Sequence, residues 1–375
     1  MKPNTLGRRR FIASTLTLVA YSSCKKVDIN PVDVPTSQTE PANPIPPNQS
    51  NNSVEDDYLG QFLETEYGPD LMPNDFSKKI IGYSDKFSYK PGEKVTLYLS
   101  GAKNSNQKIN LTDQLGNVVF SFSTAIDVQT INPDKPWVNG FAFNKTATVT
   151  LPGNLKSGIY YWTDNIPLVC TGTDSAPEIV VVYPTNTIIA YCLSGGKNVY
   201  KPQDAVKTSR ACVVSTQRYT PPDAIDSQTN SFFQWMMQQN YRVKYISDMD
   251  MENYAEIQNA KTLMIVGHSE YWTRKGRQNF DKFVASGRNA FVLSGNTMYF
   301  QVRHNLKKNT MICYKSDSHD PLRQTPYSTV LWNTPFLGYP TTSSIGADFD
   351  SGGYADRLSN RLDGFKVASE NSPLL

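Results

Sequence analysis

Apolar and polar positions along this chain follow two different rhythms. From about residue 77 to 183 they alternate with period two in short runs. Lys94-Val95-Thr96-Leu97-Tyr98-Leu99 is such a run, and Lys90-Pro91-Gly92-Glu93 supplies the turn before it. Asp113-Gln114-Leu115-Gly116-Asn117 is a turn before Val118–Phe122. Ala147–Leu151 and Gly158–Trp162 read as two more strands. Short strands with turns every ten or so residues predict an immunoglobulin-like β-sandwich.

After about residue 184, apolar runs alternate with stretches of helical spacing. Thr187–Ala190, Arg242–Ile246, Leu263–Val266 and Asn289–Leu293 read as strands. Phe232, Phe233, Met236 and Met237 fall on one face of a helix, a stripe read as core. A second helix is expected over Glu252–Gln258. A third runs from Arg274 to Ala285, capped by Thr273 and closed by Gly287. The predicted class is therefore α/β, a mostly parallel sheet flanked by helices and preceded by the β-sandwich. Beyond Arg303 the pattern dissolves into polar loops, with one more strand near Phe365–Val367. The apolar ending Ser372–Leu375 is abrupt and suggests a truncated chain.

The first 76 residues follow neither rhythm. Arg8-Arg9-Arg10 precedes a short apolar stretch from Phe11 to Tyr21, the layout of an export signal with a twin-arginine character. Ser22-Ser23-Cys24 resembles a bacterial lipobox with Cys24 as the lipidated residue, although Tyr21 departs from the usual leucine. An ordinary signal peptide or an uncleaved anchor is the alternative. Residues 25–76 begin with a Pro-, Asn- and Ser-rich tract that reads as a disordered tether. The expected organisation is thus 1–24 signal, 25–76 linker, 77–183 sandwich and 184–375 α/β domain. The expected location is outside the cytoplasm, lipid-anchored to a bacterial membrane, periplasmic or at the cell surface.

Composition narrows the function. A net charge of +3 with 19 % charged residues leaves no dense basic stripe, so a nucleic-acid partner is not expected. No internal apolar run reaches the roughly 20 residues of a membrane span. Cys170, Cys192, Cys212 and Cys313 show no CxxC metal spacing. An oxidising compartment permits a bridge whose pairing sequence does not assign.

The candidate chemistry collects at strand ends. Leu263-Met264-Ile265-Val266 stops at Gly267, and His268-Ser269-Glu270-Tyr271-Trp272 follows at once. Ligands of open α/β sheets bind beyond the carboxyl ends of strands. An extended backbone turns residues i and i+2 to one side, so His268 and Glu270 should face one pocket while Ser269 faces away. The chain has only 3 histidines, which makes one in this place informative. The competing reading is that His268 and Glu270 cap the next helix or bond loop backbone. Tyr191–Tyr200, Ser215–Tyr219 and Asp248 with Asp250 should open on the same edge. Asp248 and Asp250 suit either a cation or a helix cap. Ser194-Gly195-Gly196-Lys197 lacks phosphate-loop spacing and reads as a tight turn. A serine elbow fails because Tyr271 stands where glycine is needed. Cys192 lacks an elbow's glycines and reads as a buried hydrophobe.

Gly267-His268-Ser269-Glu270-Tyr271-Trp272-Thr273, the following helix and Ser294-Gly295-Asn296 resemble the large-subunit family of N,N-dimethylformamidase. Ala190–Tyr200 is similar to that family's Tyr–Gly-Gly–Tyr segment. Val214–Tyr219 is similar to its Ser…Arg-Pro-Tyr segment, without the proline; Tyr241–Met251 also resembles a family stretch. Gly82-Tyr83-Ser84-Asp85 with the Pro91-Gly92-Glu93 turn resembles the preceding β module. The resemblance implies a mononuclear ferric site held by two tyrosinates and a glutamate, with a nearby histidine. By position, Glu270, Tyr219 and Tyr191 are the implied Fe(III) ligands, with Tyr200 in reserve for Tyr191, and His268 is the implied catalytic neighbour. The implied reaction is hydrolysis of a small amide by metal-activated water, with His268 moving a proton to the leaving amine. A small partner subunit or an oligomer is implied as well. The alternative is a non-catalytic exported binding lipoprotein on the same scaffold.

Overall fold

The computed structural model describes residues 19–21, 80–200, 210–220 and 227–349. Arg8–Arg10, Cys24, residues 25–76 and the strand expected near Phe365 lie outside the described residues.

Strand β1 (Val19–Tyr21) is followed by β2 (Ile81–Ser84), β3 (Ser88–Tyr89), β4 (Lys94–Ser100), β5 (Asn104–Asp113) and β6 (Val118–Ile126). A single-turn helix α1 (Pro136–Asn139) leads to β7 (Ala147–Thr150), β8 (Gly158–Trp162) and β9 (Ile166–Cys170). These strands make two sheets, β2-β4-β7, antiparallel, and β3-β9-β8-β5-β6, in which β3 and β9 are parallel. Period-two alternation sends Val95, Leu97 and Leu99 of β4 inward. They meet Ile109, Leu111, Trp162 and Leu168 of the other sheet in one buried core.

Next come β10 (Ile179–Tyr183), helix α2 (Thr185–Tyr191), β11 (Val213–Ser215), helix α3 (Ser227–Met237) and β12 (Val243–Ser247). Then follow β13 (Thr262–His268), β14 (Tyr271–Thr273), helix α4 (Arg274–Ala285), β15 (Asn289–Gly295), β16 (Phe300–Asn305), β17 (Thr310–Ile312) and helix α5 (Thr342–Ile345). β12, β10, β13 and β15 lie parallel, side by side, and β1 adds an antiparallel edge on β15. A second, mixed sheet has the order β11-β17-β16-β14.

The expected class does not hold. The described residues form four mixed or antiparallel sheets, with 34 % of them in strands and 19 % in helices, so this is not a helix-flanked parallel α/β fold after an immunoglobulin-like sandwich. The reason lies in the connections. Between β12 and β13 the expected helix over Glu252–Gln258 is two 3-10 turns, Asp250–Glu252 and Tyr254–Glu256. β11 leaves the link between β10 and β12 to join the second sheet. β17 adds a strand where the pattern beyond Arg303 promised only loops. Thr187–Ala190, expected as a strand, lies within α2. Its β-branched residues favour strands, but Ile188 and Ile189 are buried on two different core clusters, and Asp248 accepts from the Asn186 amide at the helix start. Tertiary packing overrides the local preference. The terminal strand of the expected sandwich region, β10, pairs with β12 and β13 instead.

α4 follows the sequence closely. Thr273 Oγ1 accepts from the Gly276 amide 3.1 Å away, and Gly287 closes the helix at φ +81°. The two parts of the molecule share an apolar interface in which Ile159, Tyr161 and Val169 pack with Val181, Tyr183 and Phe233. Ser88 Oγ donates to Asp250 (2.6 Å), and the Tyr245 amide donates to Ser157 Oγ (2.7 Å).

Candidate active site at the carboxyl edge of the parallel strands

β13 ends at His268, and Gly267 shapes its last turn. Gly267 has φ +85°, and a Cβ there would stand 2.7 Å from Thr229 Oγ1, so only glycine fits. The chain then continues extended into β14. Ser269 turns inward, where its Oγ accepts from Trp272 Nε1 (3.0 Å), and its amide donates to Ser294 Oγ (3.0 Å). Glu270 returns to the side of His268, with Nε2 3.1 Å from Glu270 Oε2. The i, i+2 expectation is met.

α2 brings Tyr191 to the same point. Its hydroxyl donates to Glu270 Oε2 (2.7 Å) and lies 3.2 Å from His268 Nε2. Residues 79 apart in sequence thus converge through two backbone ties. The Glu270 amide donates to Thr187 Oγ1 (2.9 Å), and Asn186 Nδ2 donates to the Tyr271 carbonyl (3.1 Å). Glu270 is buried, with its side chain 3 % exposed, whereas that of His268 is 39 % exposed. The imidazole is therefore the solvent-facing member of the cluster.

One residue of the site had no signal in the strand pattern. Lys315 follows β17 in a left-handed conformation, φ +55°. Its buried ammonium donates to Tyr271 Oη (2.6 Å), stands 4.0 Å from Glu270 Oε1 and lies over the rings of Phe300 and Tyr200. Burial lowers its pKa, against the raising effect of Cys313 and Glu270. Burial, and then the Glu270 charge, push the Tyr271 phenol well above its ordinary value. A lysine after an unrecognised strand is findable only by seeing that Thr310-Met311-Ile312 is apolar enough to pair.

The remaining candidates divide. Tyr200 stacks on Tyr191 with ring centroids 4.3 Å apart. Tyr219 is buried with Ile81, Tyr83, Phe141 and Phe143 against the β module. Asp248 holds the start of α2 through the Asn186 amide, and Asp250 accepts from Ser247 and Ser88. Both act as caps and ties, and burial raises both carboxyl pKa values. Gly195 and Gly196, at φ +90° and +102°, make a tight turn against Trp137. Cys192 is buried and its thiol donates to the Tyr219 carbonyl; the four described cysteines are free thiols.

Phenolate and carboxylate are hard oxygen donors, and Tyr191 with Glu270 is a pair suited to a hard trivalent cation. No cluster of three or more His, Cys, Asp or Glu fit for a metal occurs among the described residues, so a metal here depends on tyrosine oxygen.

The model of the N,N-dimethylformamidase beta subunit-like, C-terminal family matches residues 103–372, well over half of the chain. The chain belongs to that family. The match begins next to β5, so most of the β module lies within the family region together with the site. His268, Glu270, Tyr191 and Lys315 all fall inside it. The comparison with curated proteins found no match.

Proposed function

We propose that this dimethylformamidase-like chain hydrolyses the C–N bond of a small amide at the Tyr191–His268–Glu270 cluster. The observation that carries the reading is the Tyr191 hydroxyl, held within hydrogen-bond reach of both Glu270 and His268 at a strand end. A ferric ion held by Tyr191 and Glu270 is the cofactor we propose. When bound, it supplies a polarised amide carbonyl and a water of lowered pKa. His268, exposed beside the buried carboxylate, moves the proton to the departing amine. The Lys315 ammonium, 4.0 Å from Glu270, balances its charge in a buried setting. Neighbouring Tyr200, Tyr271 and Phe300 give the compartment aromatic walls suited to a small, neutral substrate.

The test is a screen of iron-supplied protein against small formamides and acetamides, following amine release. Hydrolysis lost in both His268→Ala and Glu270→Ala, with iron retained only in His268→Ala, is the expected result. Folded, iron-containing protein that turns over none of them defeats the reading. A second reading, a binding lipoprotein, is favoured by one observation: a cleft of about 840 Å³ lies away from the cluster, lined by Asn154, Asp174, Asn240 and Tyr241. We further propose export and lipidation at Cys24, resting on Arg8–Cys24; Cys24→Ala should then shift the protein from the membrane to the soluble fraction. No helix among the described residues is long and apolar enough to cross a membrane.

A further inference from the structure

Arg218 is 1 % exposed, and no described carboxylate forms an ion pair with it. Its guanidinium is spent entirely on backbone carbonyls. Nε donates to Ser215 (2.9 Å), Nη2 to Ile189 (2.7 Å), and Nη1 to Cys192 (2.8 Å), Ser194 (2.8 Å) and Lys197 (3.3 Å). Burial lowers its pKa. A buried, unpaired cation costs several kcal/mol in desolvation. The carbonyls must offset that cost, and their location shows what the charge holds.

All but one belong to the end of α2 and the turn after it. α2 has 7 residues, and Tyr191 is its last. Helices this short are marginal, and their ends fray. Ile189 and Cys192 bracket Tyr191, and both are bonded by the one guanidinium. Asn198 Nδ2 donates to the Tyr191 carbonyl itself (2.9 Å). A cation at a helix C-terminus also meets the negative end of the helix dipole. Only a planar fork with five donors reaches this many carbonyls at once; a lysine ammonium offers three donors from one point.

We propose that Arg218 is the positioning residue of the site: by clamping the end of α2 it holds the Tyr191 phenol against Glu270 and His268. Its catalytic meaning rests on the proposed amide hydrolysis, but the positioning is measurable without turnover. The experiment uses the full chain carrying 13Cζ-tyrosine, with the Tyr191 signal among the 21 tyrosines assigned by its loss in Tyr191→Phe. In Arg218→Lys the Tyr191 resonance should move toward that of a solvent-bonded phenol or broaden. The control is Arg277→Lys. Arg277 is also buried and donates to the Tyr339 and Pro340 carbonyls, with no bond to α2. It should lower thermal stability yet leave the Tyr191 signal in place.

If the wild-type protein hydrolyses amides, kcat in Arg218→Lys should fall about 100-fold, the scale expected for a misplacement near 1 Å, with KM nearly unchanged. An unmoved Tyr191 resonance in folded Arg218→Lys, or an equal shift in Arg277→Lys, overturns the proposal. If Arg218→Lys does not fold, Asn198→Ala decides: a shift of the Tyr191 signal supports the clamp, and none refutes it. A wild-type protein without amidase activity removes the proposed function, while the resonance still decides the role of Arg218.

Discussion

The two ends of the parallel strands make an instructive contrast. At the amino ends of β10 and β12 lies the cleft of about 840 Å³, between the β module and the end of α3. It is roomy, and Asn154, Asn240 and Arg242 in its wall are exposed; Tyr241 is 56 % exposed. At the carboxyl ends Tyr191, His268, Glu270 and Lys315 converge, with Glu270 and Lys315 buried. The cleft offers room, whereas the carboxyl edge offers converging ionisable groups. Burying Glu270 beside Lys315 and a phenol is costly unless each is partnered. That cost is met at the edge where α2 and the segments after β13 and β17 meet.

The hardest test of this contrast is removal of the carboxylate. Glu270→Ala should abolish the proposed amide hydrolysis, a loss of at least about 100-fold for a group at the proposed reacting centre, measured by amine release. The same loss from Asn240→Ala in the cleft would break the contrast. Next in size is acid sensitivity behind the carboxyl edge. The His304 side chain is only 6 % exposed and its pKa is pushed down to about 4 by burial, although Glu252 stands 3.8 Å from Nδ1. The unfolded chain takes up this proton near pH ~6.5 and the folded chain only near 4, so the unfolded state binds more protons in between. Stability should fall as pH drops from about 6.5 to about 4, by on the order of 3 kcal/mol at most. Urea unfolding of wild type and His304→Gln, compared across that window, checks it; the variant should lose the slope.

Gly267→Ala should cost about 2–3 kcal/mol from its positive φ and the Thr229 contact, and should displace His268. Chemical denaturation gives the first effect and amine release the second. The smallest effect is expected in the cleft. Tyr241→Ala should stay within about 0.5 kcal/mol of wild type, as exposed substitutions do, with turnover unchanged. A larger loss of either would show that the amino edge takes part.

Much of the site was legible because it is local. Gly267, His268 and Glu270 lie on one short segment, and extended geometry alone places the two side chains together. The Arg274–Ala285 helix was equally legible from Thr273, its apolar spacing and Gly287. Tyr191 was legible as a candidate but not as a helical residue, since the β-branched Thr187-Ile188-Ile189 argues for a strand. Lys315 was not legible at all, because β17 is three residues long and exists only by pairing with β11 and β16.

By itself, the sequence determined the period-two strands of the β module, the presence of β13 and β15, the capped helix between them and the local His–Glu pair. Each depends on contacts within a few residues. The tertiary structure decided which strands share a sheet, that Thr185–Tyr191 coils, that Lys315 is buried beside Glu270, and that Tyr219 packs on the β module. Those outcomes depend on partners far away in the chain, such as Asp248 for α2, Arg218 for its end and β11 for β17. Local preferences of a fraction of a kcal/mol per residue cannot outweigh that burial and hydrogen bonding.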